Sequence, residues 1–177
     1  MELLREQGWP GVTHRAAAAR AGANPGLVHY YFEGSAGLRL AVAERAVELS
    51  IGRFTDDLLR AEDEAQLLSG VERLLSQSTR DSDAARLTTE LVSAAYDDPA
   101  VGEVVATAMR AAREQVADWL AARRPGDSRA SVEGTAALLL AAVDGAVLHR
   151  LLDPGLSARS LVEAMAPFVP DGERGPS

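Results

Sequence analysis

Apolar residues recur at three- and four-residue intervals along almost the whole of this 177-residue chain, and no run alternates apolar with polar as a half-buried strand would. The pattern predicts an all-α protein. Leu40, Val47, Ile51, Phe54 and Leu58 set one face of a helix over 36–60. Two amphipathic helices over 64–78 and 84–96 follow, parted by the polar stretch 79–83. Asp98 and Pro99 pair as N-cap and first helical residue. Val101, Val105, Ala108, Ala112, Val116 and Leu120 then mark a face that ends in a loop over 125–128. The next helix, 130–152, is apolar almost all round from Gly134 onward, broken by Asp144, His149 and Arg150, so a second surface must cover what its own core does not. Asp153-Pro154-Gly155 stops it, Ser157 caps a further helix, and Leu161, Val162, Met165, Phe168 and Val169 give that helix an apolar side.

The segment 13–38 departs from this long-helix pattern. Thr13 suits an N-cap, and 15–21 is built from strong helix formers. Gly22 can take the left-handed conformation that ends a helix. Asn24 then offers a second N-cap with Pro25 at the first helical position. Two short helices joined by a three-residue glycine turn form a layout in which the second can lie in a DNA major groove. Ala16 to Ala19 carry little side chain, so the two helices can approach closely. The second helix, 25–32, holds His29, Tyr30 and Tyr31 in a chain that is only 5% aromatic, and Phe32 is placed to anchor it to the core.

Thr13, Ala18, Arg20, Ala21, Gly22, Gly26, Val28, His29, Tyr30, Tyr31, Phe32, Leu38 and Val42 together resemble the signature of TetR-type transcriptional repressors. Glu2 to Trp9 is similar to the end of that family's first helix and its turn, so the resemblance implies that the earlier part of the helix, and any basic arm, lies before residue 1. Three positions depart from the pattern. Ser35 stands where a basic residue commonly opens the fourth helix, Pro25 where a polar residue is common, and His29 where tyrosine is usual.

The resemblance implies a homodimeric, ligand-responsive regulator, most often a repressor, released from a palindromic operator by a small-molecule effector. Thr13, His14, Arg15, Asn24, Pro25, Gly26, Leu27, His29, Tyr30, Tyr31 and Ser35 are then the DNA-facing candidates. Arg15 reads either as a bidentate guanine contact or as a solvated surface residue. Thr13 and Asn24 are caps first. Tyr30 and Tyr31 can give hydroxyls to phosphates, although one of them could instead pack beneath the helix, and Pro25 and Leu27 offer only apolar contact, such as to a thymine methyl. Phe54, Tyr96, Met109 and Trp119 are candidate lining for an effector site, with Asp144 or His149 as polar anchors, against the plain alternative that each simply packs. The segment DGAVLHRLLDP resembles the family's dimer region, which places Leu138, Ala142, Gly145, Leu148, Leu152, Leu161, Met165 and Phe168 at a twofold interface.

Charge is unevenly divided. The whole chain carries net −8, yet residues 1–48 hold five Arg and five Glu, so the acidity lies outside the DNA-reading segment. A neutral head implies modest affinity and a shallow salt dependence, because phosphate neutralisation needs Lys or Arg. Every basic residue is arginine, which with the excess of alanine and glycine fits a GC-rich bacterial genome. The boundaries expected are a DNA-binding domain over 1–48, a helical effector and dimerisation domain over 49–170, and a disordered tail over 171–177. With no cysteine, three scattered histidines and no HExxH, GxGxxG, P-loop or GxSxG element, neither an enzyme, a metal nor a cofactor is implied. No uninterrupted apolar stretch reaches the ~20 residues of a spanning helix, so no membrane partner and a cytoplasmic location are expected. The rival reading is a helical dimeric ligand-binding or protein-interaction module with lost or weakened DNA binding.

Overall fold

The structure, a computed structural model, describes residues 1–78 and 83–169, and the expected tail over 171–177 lies outside them, as does most of the polar stretch 79–83. Among the described residues the chain is helical and has no strand. In chain order the α-helices are α1 (Glu2–Gln7), α2 (His14–Ala21), α3 (Pro25–Tyr31), α4 (Ser35–Val47), α5 (Arg53–Leu59), α6 (Glu64–Gln77), α7 (Asp83–Asp97), α8 (Pro99–Arg123), α9 (Arg129–Leu152) and α10 (Ala158–Met165). Two compact units divide them. One comprises Met1–Gly52 with Arg86–Met109, the other Arg53–Ala85 with the chain from Arg110 onward.

In the first unit, Leu4, Trp9, Val12, Leu38, Ala43 and Ala46 from the N-terminal helices close over Leu87, Leu91, Ala94, Val101 and Val105 from α7 and α8. Polar contacts fix the register of this core. The Trp9 amide donates to Glu90 Oε2 at 2.8 Å, and the Arg39 guanidinium lies 5.5 Å from the Trp9 ring centroid and 3.6 Å from the Asp98 carboxylate. Asp98 also caps α8 by accepting from the Ala100 amide.

The single helix expected over 36–60 is interrupted. Glu48–Gly52 forms a π-helical turn between α4 and α5, in which the Ser50 hydroxyl donates back to the Ala46 carbonyl at 2.8 Å. Such a side-chain bond competes with the regular ladder, and π turns recur at functional positions in helices.

The second unit is built on Leu67, Val71 and Leu75 of α6, Val116 and Leu120 of α8, Val132, Ala136, Leu139 and Val143 of α9, and Val162 and Met165 of α10. Side-chain caps start three of these helices: Asp63 accepts from Gln66, Ser128 from Ser131 and Ser157 from Ser160. Arg150, read from sequence as an interruption of an apolar run, bonds through Nε to the Leu75 carbonyl at 2.7 Å and through Nη1 to the Leu156 carbonyl. It thereby adds a second donor to a carbonyl at the end of α6 that also accepts from the Ser78 amide at 3.1 Å. Although α9 contains no long uninterrupted apolar run, its length and composition match those of a membrane-crossing helix. One of its sides packs within this unit, and the other leaves Leu138, Leu148 and Leu152 more than half exposed.

Candidate nucleic-acid interface

The pairing of α2 with α3 is set by three local devices. Thr13 is extended and its hydroxyl accepts from the Ala16 amide at 3.1 Å, which opens α2. Gly22 closes α2 at φ 62, and the Ala23 amide reaches back to the Ala18 carbonyl at 2.9 Å. Asn24 then opens α3 by accepting from the Gly26 amide at 2.8 Å, with Pro25 at the first position. Ala18 is wholly buried, which lets the helices meet closely, and Phe32 packs against the core beneath them.

This leaves α3 with an outward surface of unusual composition. Leu27 is 62% exposed, Tyr30 83% and Tyr31 77%, and Pro25, Gly26 and His29 are exposed as well. Both tyrosines therefore project, and the alternative in which one packs beneath α3 does not occur. His14 and His29 meet edge to face with ring centroids 5.2 Å apart, and His14 Nδ1 lies 3.0 Å from the Ser35 hydroxyl. His29, Tyr30, Tyr31 and Glu33 rim an open depression beside them. Glu33 turns the chain at φ 56, so that Gly34 and Ser35 begin α4.

Most of the positive charge in this region is already used. Arg20 is bonded to Glu2 at 2.8 Å and to Glu6, and this hydrogen bond holds the Glu6 carboxyl below its ordinary value while raising that of Arg20. Arg45 pairs with Glu48 and Arg39 with Asp98. Arg15 differs. It is exposed near the start of α2 and has no ion pair among the described residues.

The other sequence-predicted residues have varied positions. Tyr96 (92% exposed) and Met109 belong to the first unit, while Phe54, Trp119, Asp144 and His149 belong to the second. Trp119 is buried, its indole N–H donates to the Ala61 carbonyl at 3.0 Å, and the Arg123 guanidinium stacks 3.8 Å from its ring. Phe54 packs half-buried against the same core. Asp144 and His149 are exposed on the outward side of α9, and partial desolvation by its surroundings pushes the Asp144 carboxyl above its ordinary value. Leu138, Leu148, Leu152 and Phe168 are exposed, Ala142, Gly145 and Leu161 are partly buried, and Met165 is part of the core. A Cβ added at Gly134 or Gly145 would enter open space.

Arg124 was not singled out from sequence. Its side chain is nearly buried, Nε and Nη2 have no hydrogen-bond partner among the described residues, and Nη1 lies 3.9 Å from the Asp127 carboxylate. Its position was legible in principle, because it continues the buried stripe Ala112, Val116, Leu120 by one further turn.

Two family models match the chain. The one described as bacterial regulatory proteins, tetR family, covers residues 1–42, and the one described as tetracyclin repressor-like, C-terminal domain, covers 62–169. Solved structures resemble it over nearly its whole length. A candidate transcriptional regulator from Streptomyces coelicolor A3(2) is 29% identical, with a TM-score of 0.77 over 95% of this chain and 92% of that one. The multidrug binding protein EbrR, complexed with proflavin, is 26% identical, with a TM-score of 0.69 over 95% of this chain and 94% of that one. A candidate regulator from Saccharomonospora viridis in complex with choline, at 19% identity and a TM-score of 0.69 over 94% and 89% of the two chains, shares the fold. No curated protein sequence matches the chain.

Proposed function

The chain belongs to the TetR family of bacterial regulatory proteins, and from that premise we propose that it is a ligand-responsive repressor. In this reading it binds a palindromic operator as a homodimer and leaves it when a small molecule occupies the C-terminal domain. The observation that carries the DNA-binding part is the capped α2–turn–α3 unit, whose second helix projects Leu27, Tyr30 and Tyr31 while Arg15 on the first has no ion pair among the described residues. Tyrosine hydroxyls and Arg15 suit phosphates or a guanine edge.

The homodimer part is supported by the outward side of α9, where Leu138, Leu148 and Leu152 alternate with Gly134, Ala141 and Gly145 at helical spacing. Small residues let a second helix approach, and the leucines supply apolar area. A twofold pair would carry two copies of α3, and a separation of about 34 to 36 Å matches successive major grooves on one face of DNA. The relative complexed with proflavin supports a small-molecule effector. Such an effector releases DNA only if it binds the non-DNA conformation more tightly. A DNA-bound regulator works in the cytoplasm of a bacterium, which is where we place this one.

One observation favours the second reading, a dimeric ligand-binding module with weakened DNA binding: Arg20, Arg39 and Arg45 are all spent on pairs within the first unit. Titration of the protein against its neighbouring promoter at two salt concentrations separates the two. A repressor discriminates that duplex from a scrambled one at both salts, and equal weak binding to both duplexes would favour the module.

A further inference from the structure

Recognition helices of this layout present their N-terminal residues to base edges. In α3 those residues are Pro25, Gly26 and Leu27, which have no side-chain hydrogen-bonding group. Asn24, the nearest polar candidate, already has its Oδ1 accepting from the Gly26 amide at 2.8 Å. Tyr30 and Tyr31 lie a turn further along the helix, and the His29 ring is turned against His14, with its Cε1 3.5 Å from where a Cβ on Gly34 would sit. Leu27 is thus the one large side chain at the base-facing end, and it is 62% exposed with no protein surface to explain it. In the major groove, the chemical feature that an aliphatic side chain can read is the thymine C5-methyl.

Building on the DNA-binding reading above, we propose that Leu27 is a specificity-determining residue that reads a thymine methyl in each operator half-site. Arg15 and the two tyrosines then hold the head in register on the backbone or at a neighbouring base. This makes operator choice at that base pair depend on a methyl group rather than on a hydrogen-bonding pattern. A C·G pair carrying 5-methylcytosine presents a methyl at the same place in the groove and should substitute for it in part.

The test begins by selecting duplexes from a random-sequence library with the full chain. Each thymine of the recovered half-site is then replaced by deoxyuridine, which removes only the methyl. At one thymine per half-site, removing the methyl from one half-site should cost the wild type about fourfold in affinity, the worth of one buried carbon, and removing it from both about fifteenfold. The Leu27→Ala variant should bind the thymine and uracil duplexes equally, and 5-methylcytosine should bind the wild type better than cytosine at that position. Leu27 is exposed, so the variant's helical circular dichroism and melting midpoint should match the wild type. If uracil is tolerated at every position, or if Leu27→Ala keeps the full methyl dependence, the methyl readout is wrong while the regulator reading survives. If selection recovers no preferred sequence, the DNA-binding reading fails and this inference falls with it.

Discussion

The outward surfaces of α3 and α9 both leave large hydrophobic side chains in water, and they do so with opposite chemistry. On the seven-residue α3, an aliphatic residue sits with two tyrosines whose hydroxyls keep one end of each ring polar, and the helix paired with it, α2, exposes Arg15. On the 24-residue α9, leucines alternate with glycine and alanine from Gly134 onward, where the exposed polar exceptions are Asp144 and His149, and Arg129, Ser131 and Glu133 are gathered near its start. The first surface is short, rigidly capped at both ends of its turn and suited to a polyanion with apolar spots. The second is long, smooth and suited to another helix. Exposed apolar area is therefore informative here only together with what surrounds it.

The sharpest way to break this comparison is to charge the α9 surface. Replacing Leu138 and Leu148 by glutamate should weaken self-association at least ~100-fold, since burying each leucine is worth about 1.5–3 kcal/mol. Sedimentation velocity should show a monomer whose helical content is unchanged, and operator binding should fall with it. A variant that keeps the wild-type mass would remove α9 as the interface.

Two glycines sharpen the same contrast. A Cβ on Gly37 would sit 1.9 Å from the Phe32 carbonyl oxygen, whereas one on Gly145 would meet nothing. Gly37→Ala must push α4 away from the end of α3 and should destabilise the head by about 1–3 kcal/mol in urea unfolding. Gly145→Ala should stabilise an isolated protomer by a fraction of the ~1 kcal/mol that separates the two residues in helices, while loosening the dimer. Equal effects at both sites would mean that the two environments had been misjudged.

The devices that sequence made visible are the local ones. Thr13, Gly22, Asn24 and Pro25 act within four positions of themselves, so their roles as cap, stop and start follow from residue type alone. The apolar face of α8 was equally plain, because period and burial coincide there, whereas over 36–60 the buried apolar residues are Leu38, Ala43, Ala46 and Leu58, and Leu40, Val47, Ile51 and Phe54 are only partly buried. What sequence could not show depends on distant partners. The Trp9 amide is fixed by Glu90, 81 positions away, and the Arg150 side chain by the Leu75 carbonyl, 75 positions away, and neither donor announces its acceptor. The π turn at Glu48–Gly52 leaves no mark in the apolar period, which runs through it.

Arg15 tests the α3 side of the comparison with a smaller effect. Arg15→Ala should lower operator affinity about tenfold for each half-site bound, the value of one good base contact. The pattern of loss identifies the contact. Weakening confined to duplexes that carry a particular guanine marks base readout, whereas uniform weakening with a salt slope shallower by about one per half-site marks a phosphate. No change on any duplex would return Arg15 to the solvated surface.

The smallest effect belongs to Asp144, and its sign distinguishes α9 from an ordinary solvated helix side. Desolvation raises the carboxyl in the folded protein, so the native state binds the proton more readily than the unfolded chain does. Between the unfolded value and the raised one, stability therefore falls as pH rises, and above that window the penalty is fully present. Asp144→Asn removes the ionisable group. The variant should be the more stable protein in urea at pH 7, and the difference should shrink as pH falls through the carboxylate range. If α9 also faces a second copy, association desolvates Asp144 further, so the wild-type dimer should tighten more than the variant's on going from pH 7 to pH 5. Identical pH profiles for the two proteins, in both unfolding and self-association, would place Asp144 in free solvent and remove the polar interruption of α9 from any account of how that surface is covered.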